Sequence, residues 1–505
     1  MRLPFPTHIK LWHSGAFATV LCLFELLEGT PPFFVLFVFV YILLATVAFN
    51  LAGGLSTPSG AYVFANASLS LIFVLCAKVL IGEAADVNLR SPMTSIMVYT
   101  GGMAGILLAV KLSHWFIPKV AILDRDNLNV DMRQIAIACI ASGIIIPTIA
   151  GFFYTGAGSL GSALNQFGFF LPLGLMLAVY DQIRSSNGRS SVNIFFILGS
   201  LYAILTGAIL GTSKQALFTP LAAYLVVCGA MQFRLRIIHI ATLSISSFLM
   251  LYYMVPYDQI VRNYTHDATT FEVRWDTAMY WLNHLDELRT EYNISNEDVA
   301  ISRGPHYFSE DRGFLERLGM IGMDDALINI TEINGTYGYR PLVVAYGNIV
   351  PHFLWKNKPD YIYANAFAHE LGLLAYEDFS TSISFGPSAM AYHMGKWVGV
   401  LLILPVVTLM LFIAVNSTTG TMERSPWTLV FTLFFLHAAP EGDLGEMIVI
   451  TFIVTLILIC SVYFARYLLP PLGAFIFPER RRYFQLRKVR SIPRSAASLH
   501  SEGPV

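Results

Sequence analysis

The sequence predicts an all-α integral membrane protein of about twelve transmembrane helices with one large, partly helical loop on the far side. Three observations carry this expectation. Only 13% of residues are charged against 55% hydrophobic, and the mean hydropathy is +0.60, whereas a soluble domain carries roughly 25% charged residues. Apolar runs near the roughly 20 residues that cross a hydrocarbon core of about 30 Å recur along the chain. Lys and Arg also gather in alternate connections between those runs.

The first run, 12–29, follows Arg2 and Lys10 and carries Glu25 and Glu28 in its distal half. No small-residue cleavage site follows, so it reads as an uncleaved span rather than a signal peptide. Further spans are expected at 32–52, 62–82, 94–116, 134–153, 160–180, 192–210, 216–232 and 237–256, then at 385–414, 427–440 and 446–465. Pro147, Pro220 and Pro405 fall inside spans, where neighbouring helices re-satisfy the freed carbonyls. With the N-terminus inside, the inside connections and tail hold 18 Lys or Arg. The short outside connections hold only Arg90 and Lys214, so both termini are expected in the cytoplasm.

The chain thus divides into nine N-terminal spans (1–256), a large loop (257–384), three C-terminal spans (385–465) and a basic tail (466–505). The tail includes Arg480, Arg481, Arg482, Arg487, Lys488 and Arg490, which anchor it at an anionic lipid surface. The loop carries 19 acidic residues, 9 Lys or Arg and 5 His, with no run long enough to span. Apolar residues at three- and four-residue spacing predict helices at 271–288 and 311–328, with a third at 364–375.

Several classes of chemistry lack their residues. There is no GxxxxGK[ST], no GxGxxG opening a helix, no HExxH and no GxSxG. The five cysteines lie in apolar runs without metal or disulfide spacing, and nothing points to nucleic acid. A cofactor and a metal site are therefore not expected. Few ionisable residues lie at mid-membrane depth, and Lys78 and Lys111 sit near span ends; this argues against an ion-coupled transporter.

Polar chemistry gathers instead at the outer face. Gly211-Thr212-Ser213-Lys214-Gln215 makes a cationic turn between the seventh and eighth spans. The loop supplies Arg312, Arg317 and Arg340, then Trp355, Lys356 and Lys358, then His369, Glu370 and Asp378, and His393 follows in the tenth span. Cations, histidines and carboxylates interleaved with aromatic rings suit a saccharide diphosphate, because Arg offers several donors to phosphate oxygens.

In its twelve-span layout, cationic turn, late loop and the run from Val350-Pro351 through Trp355-Lys356-Asn357-Lys358-Pro359 to Thr381-Ser382-Ile383-Ser384-Phe385-Gly386-Pro387, the chain resembles the O-antigen and oligosaccharide-repeat-unit polymerases (Wzy-type) of bacterial envelopes. Two positions depart from that pattern. Lys214 stands where many relatives carry arginine, and Ala389-Met390-Ala391-Tyr392 replaces an expected glutamate setting; His393 or the outer carboxylates Glu441, Asp443 and Glu446 are the substitutes in reach.

The resemblance implies a glycosyltransferase of the bacterial inner membrane that joins repeat units carried on undecaprenyl diphosphate at the periplasmic face. It implies membrane lipids, a chain-length regulator and a flippase as partners. It assigns the diphosphate to Lys214, Arg312, Arg317 and Arg340 and the glycan groove to Trp355, Lys356 and Lys358. The base is His369 first, with Glu370, Asp378 and His393 in reserve. A ligase using the same donor and a glycan or lipid transporter are the competing readings.

Overall fold

The structure is a computed structural model that describes residues 1–123, 132–151, 166–265, 271–302, 305–309, 319–350, 355, 363–374, 376–378, 383–422 and 424–467. Every regular element among them is helical. The chain enters through α1 (Leu11–Leu27), α2 (Pro32–Ala52), α3 (Pro58–Ile81), α4 (Pro92–Ser113) and α5 (Met132–Ala150). It continues through α6 (Phe170–Ser185), α7 (Ile194–Ile209), α8 (Lys214–Ala230) and α9 (Ile237–Arg262). The loop contributes α10 (Phe271–Asn283), α11 (Leu285–Ser302), α12 (Ile321–Asn334), α13 (Arg340–Asn348) and α14 (Tyr363–Glu370). The chain returns through α15 (Pro387–Thr419), α16 (Thr428–Glu441) and α17 (Leu444–Phe464).

Helices α2, α3, α4, α5, α9, α15 and α17 are long and apolar enough to cross a membrane, and α1, α7 and α8 are shorter apolar helices. The chain is therefore a multi-pass α-helical membrane protein. The expected spans at 160–180 and 427–440 meet α6, whose approach lies outside the described residues, and the 14-residue α16.

Local chemistry sets the helix ends. Proline opens α2, α3, α4 and α15, where its missing N–H is one the helix leaves unpaired anyway. Thr57, Asn193, Ser213 and Asp443 each accept a backbone N–H from the first turn of the helix they precede. Glu25, which weakens the hydropathy of the first run, is not left in lipid. It accepts from the Thr30 hydroxyl at 2.8 Å and the Ala85 N–H at 3.1 Å, next to the turn that ends α3.

Between helices, polar side chains replace the hydrophobic drive that lipid removes. The Asn66 amide donates to the Ala439 carbonyl at 2.8 Å, tying α3 to α16. Asn416 donates to the Ser59 hydroxyl at 2.8 Å and accepts from its N–H, tying α15 to α3.

The loop is packed onto this bundle. Lys78, fully buried at the end of α3, pairs with Glu83 at 2.7 Å and lies over the Tyr307 ring at 4.5 Å. The Tyr307 hydroxyl donates to the Ala85 carbonyl at 2.7 Å. Helix α12 is held by two adjacent acids. Asp325 accepts from the N–H groups of Arg90 and Ser91 and from the Ser95 hydroxyl, at the start of α4. Asp324 accepts from the Tyr99 hydroxyl at 2.6 Å and the Gly386 N–H at 2.7 Å, joining α4 to the start of α15.

Some expected boundaries move. The helix expected at 271–288 is two, broken at His284. In place of the second expected loop helix at 311–328, of which 311–318 lie outside the described residues, the helix begins at Ile321 after non-helical Gly319 and Met320 and runs to Asn334. The third ends at Glu370, because Gly372 turns the chain at φ +68°. Beyond α9 the same helix, having passed the expected boundary at 257, continues from Arg262 to Thr265.

The Asp325 contacts predict that Asp325→Ala, which orphans two backbone N–H groups and a hydroxyl, costs about 2–4 kcal/mol of stability. A thermal unfolding midpoint equal to wild type in detergent would remove the clamp role.

Burial pushes the Asp324 carboxyl up to about 7, opposed by the Tyr99 and Gly386 donors. Its folded value thus lies above the unfolded value of about 3.9, and the folded state holds the extra proton between the two. Stability should fall as pH rises from about 4 to about 7 and then level off. Asp324→Asn should flatten that slope in unfolding scans, and an unchanged slope would contradict the assignment.

Candidate functional site

Where α12 and α14 rest on the first turns of α15, a fully buried histidine with an unpaired ring nitrogen meets a partly exposed carboxylate. His393 lies in α15 and is completely buried. Its ring packs against Phe367 of α14 at 4.7 Å between centroids and Tyr337 at 5.5 Å. Its backbone carbonyl accepts from the Tyr337 N–H at 2.9 Å, tying the segment after α12 to α15.

The tautomer of this imidazole follows from its neighbour. The Thr331 hydroxyl donates to the Leu327 carbonyl at 2.7 Å, one helical turn back. Its single proton is spent there, so the 2.8 Å contact with His393 Nδ1 must be an N–H donated by the ring to Thr331 Oγ1. In the neutral ring, Nε2 then carries the lone pair. Nε2 stands 3.3 Å from Glu370 Oε2 and has no hydrogen-bond partner of good geometry. The Glu370 side chain is 26% exposed while that of His393 is 0%, so the carboxylate is the member of the pair that a ligand meets. Burial raises the Glu370 pKa above the ordinary carboxylate range, against a hydrogen bond from Asn334.

Beside this pair the backbone of α15 is distorted. Gly395 and Lys396 leave the helical region, and Lys396 takes φ +47° and ψ −132°. A non-glycine residue held there costs about 1–3 kcal/mol. A Cβ at Gly395 would stand 2.6 Å from the Tyr339 hydroxyl, so glycine is needed for the approach. The distortion brings Lys396 Nζ to 3.0 Å from Glu332 Oε1, which also accepts from the Tyr392 hydroxyl at 2.8 Å. The Tyr392 hydrogen bond and then Lys396 hold the Glu332 carboxylate below its usual pKa, so it stays charged.

The sequence-predicted residues fall in several places. Glu370 and His393 come together. His369 faces away from them, with Nε2 at 2.8 Å from the Asp378 backbone carbonyl, which also accepts from Asn365 at 3.0 Å. Arg340 opens α13 and is exposed, and its carbonyl accepts from the Tyr363 hydroxyl at 3.1 Å. Trp355 lies against Gly347 of α13. Asp443 caps α17 through the Glu446 N–H. Arg312, Arg317, Lys356 and Lys358 lie outside the described residues.

Lys214 opens α8, away from the pair. The end of α9 brings Asp258 and Arg262 to its turn, where the Arg262 guanidinium donates to the Thr212 carbonyl at 2.7 Å. The side chain of Asp258 is fully buried. This turn packs with the apolar cluster of Tyr257, Val261 and Trp281, distinct from the one that holds Phe367 and Tyr392.

Thr331, Glu332, Lys396 and Arg262 were not singled out from the sequence. Thr331 was visible there only as the third residue of Asn329-Ile330-Thr331. The glutamate expected in the setting of Ala389-Met390-Ala391-Tyr392 is absent, and the carboxylate that meets Tyr392 arrives from α12.

No protein-family model, no curated protein and no solved structure matches the chain.

The tautomer is directly testable. With histidine labelled by nitrogen-15 and the His393 signal assigned by its loss in His393→Asn, NMR should show Nδ1 protonated and Nε2 bare at alkaline pH. Thr331→Val should disturb that state, and a ring protonated at Nε2 in the parent protein would overturn the assignment.

Proposed function

We propose that this chain is a twelve-span glycosyltransferase of the bacterial inner membrane, with both termini cytoplasmic and the 257–384 loop in the periplasm. It joins undecaprenyl-diphosphate-linked oligosaccharide units into a surface polysaccharide, as an O-antigen or related polymerase. The observation that carries the reading is the pair of Glu370 and His393, a partly exposed carboxylate backed by a buried imidazole of one tautomer.

In this reading Glu370 accepts the proton of the acceptor sugar hydroxyl as that oxygen attacks the anomeric carbon of the donor glycan. The bond from that carbon to the phosphate oxygen breaks, and its electron pair leaves with undecaprenyl diphosphate. The Nε2 lone pair of His393 shares the proton with Glu370, and Thr331 keeps that lone pair facing the carboxylate. Burial suits the carboxylate to this task, because a base works best with a pKa nearer the working pH. His369, turned to a backbone carbonyl, becomes a positioning residue for the Asp378 segment.

The reaction has two diphosphates to hold, one on each lipid-linked substrate. Arg340, with Arg312 and Arg317, is assigned to the donor's leaving diphosphate, where fixed cations stabilise developing charge. Lys214 and Arg262 are assigned to the acceptor's diphosphate, one repeat unit away. Trp355, Lys356 and Lys358 are assigned to the glycan between them.

Purified protein given its lipid-linked repeat unit without any nucleotide should produce a ladder of longer glycans. Glu370→Gln and His393→Asn should slow it by about 10²–10³-fold while the protein stays folded. Activity should fall on the acid side with a limb above the ordinary glutamate value of about 4.3, since the base must be ionised and its pKa is raised. Single transfer to a lipid A core acceptor without a ladder would mark a ligase. Full activity in folded Glu370→Gln would remove the assigned base.

A further inference from the structure

Helix α13 presents an exposed apolar face that the reaction above does not use. From the N-cap onward, Tyr339, Val343, Tyr346 and Val350 follow one another at four-, three- and four-residue spacing. That spacing puts them on one side of a helix. All four are exposed, Val343 at 69% and Tyr346 at 44%. The opposite side is already occupied: Ala345 is buried against the start of α17, where a Cβ on Gly445 would stand 3.3 Å from the Ala345 methyl. In water such a face would be an unsupported patch of large apolar side chains.

Its surroundings identify what covers it. On α17, Phe452, Leu456 and Tyr463 are exposed at the same kind of spacing, and they form the outward stripe of a helix long and apolar enough to cross the membrane. The Tyr346 ring lies 6.5 Å from the Phe452 ring, so the face of α13 continues that stripe beyond the first turns of α17. Trp355 adds a half-exposed indole over Gly347 at the same end. Tyr and Trp beside an aliphatic stripe are the composition of the membrane–water interface, where one side of the ring is apolar and the other wet. Arg340, assigned above to the donor diphosphate, is exposed about a quarter-turn away from the apolar face and so lies outside it.

We propose that α13 is an interfacial helix, embedded along its Tyr339–Val343–Tyr346–Val350 face in the lipid headgroup and upper acyl region next to α17. The loop is then moored to the bilayer as well as to the bundle. The Glu370–His393 pair is held at the depth where a lipid-linked group emerges, but the inference stands whichever reaction occurs there. An amphipathic helix of this kind gains affinity from the apolar area it buries in lipid.

The test uses the full chain, with its five cysteines replaced by alanine, in vesicles of phosphatidylethanolamine and phosphatidylglycerol. A nitroxide is attached at Val343→Cys, with Asp276→Cys on the exposed charged face of α10 as the reference. Power-saturation EPR then compares access to oxygen, which concentrates in lipid, with access to a water-soluble nickel chelate. The expected result is an oxygen-to-nickel ratio several-fold higher at Val343 than at Asp276. An equal ratio would overturn the proposal by placing the face in water. Low access to both reagents would also overturn it, by placing the face against a second copy or a partner protein. If Val343→Cys fails to accumulate, Val350→Cys on the same face gives the same reading.

Discussion

Two adjacent carboxylates on one short helix carry much of this architecture. Asp324 joins Tyr99 of α4 to the Gly386 N–H before α15, and Asp325 holds the backbone that opens α4. Successive helical residues diverge by about 100°, so one helix end can lock two different spans. Once α12 is pinned, Thr331 and Glu332, about two turns on, have a fixed place against α15. The imidazole of His393 takes its orientation from the first, and the distorted turn at Lys396 takes its charge partner from the second. The polar site is thus built outward from buried acids that never face it.

The distorted turn is best understood as a consequence of that locking. An exposed ion pair such as Lys396 with Glu332 is worth at most about 1 kcal/mol, less than the strain of the Lys396 backbone. The pair therefore does not hold the distortion by itself. Tertiary packing does, through the close approach of Tyr339 at Gly395 and the Tyr337 hydrogen bond to the His393 carbonyl. Strain concentrated beside a buried histidine and an elevated carboxylate is the pattern expected where a protein has been shaped for a task rather than for stability alone.

Lipid as solvent explains the rest of the arrangement. Helices in the bundle are tied by amides and hydroxyls such as Asn66, Asn416 and Ser59, since apolar contact alone gains little over contact with acyl chains. The only fully buried lysine, among the described residues, lies at a span end with a carboxylate and two aromatic rings around it. The loop is fastened at that same end, through Tyr307 and α12, and α13 extends the apolar outside of α17. A buried charge, aromatic rings and a strained turn thus lie on the side of the helices where the loop packs.

Sequence by itself determined the membrane class, the positions of most helices and the polar character of the loop. These follow from local quantities: run length, helical spacing and the count of charged residues between runs. It also marked Glu370 and His393 as reserves for a base, while ranking His369 ahead of them. Tertiary structure alone decided that His369 turns to a backbone carbonyl and that Glu370 meets His393. It alone decided that the carboxylate beside Tyr392 comes from α12, and that Lys214 gathers Asp258 and Arg262 rather than Arg340. The physical reason is common to these cases. A side chain's partner is set by which helices cross and how they rotate, and from Glu370 with His393 to Glu332 with Lys396 the side chains that meet lie 23 to 64 positions apart. No local pattern of charge or hydropathy encodes a meeting over that distance.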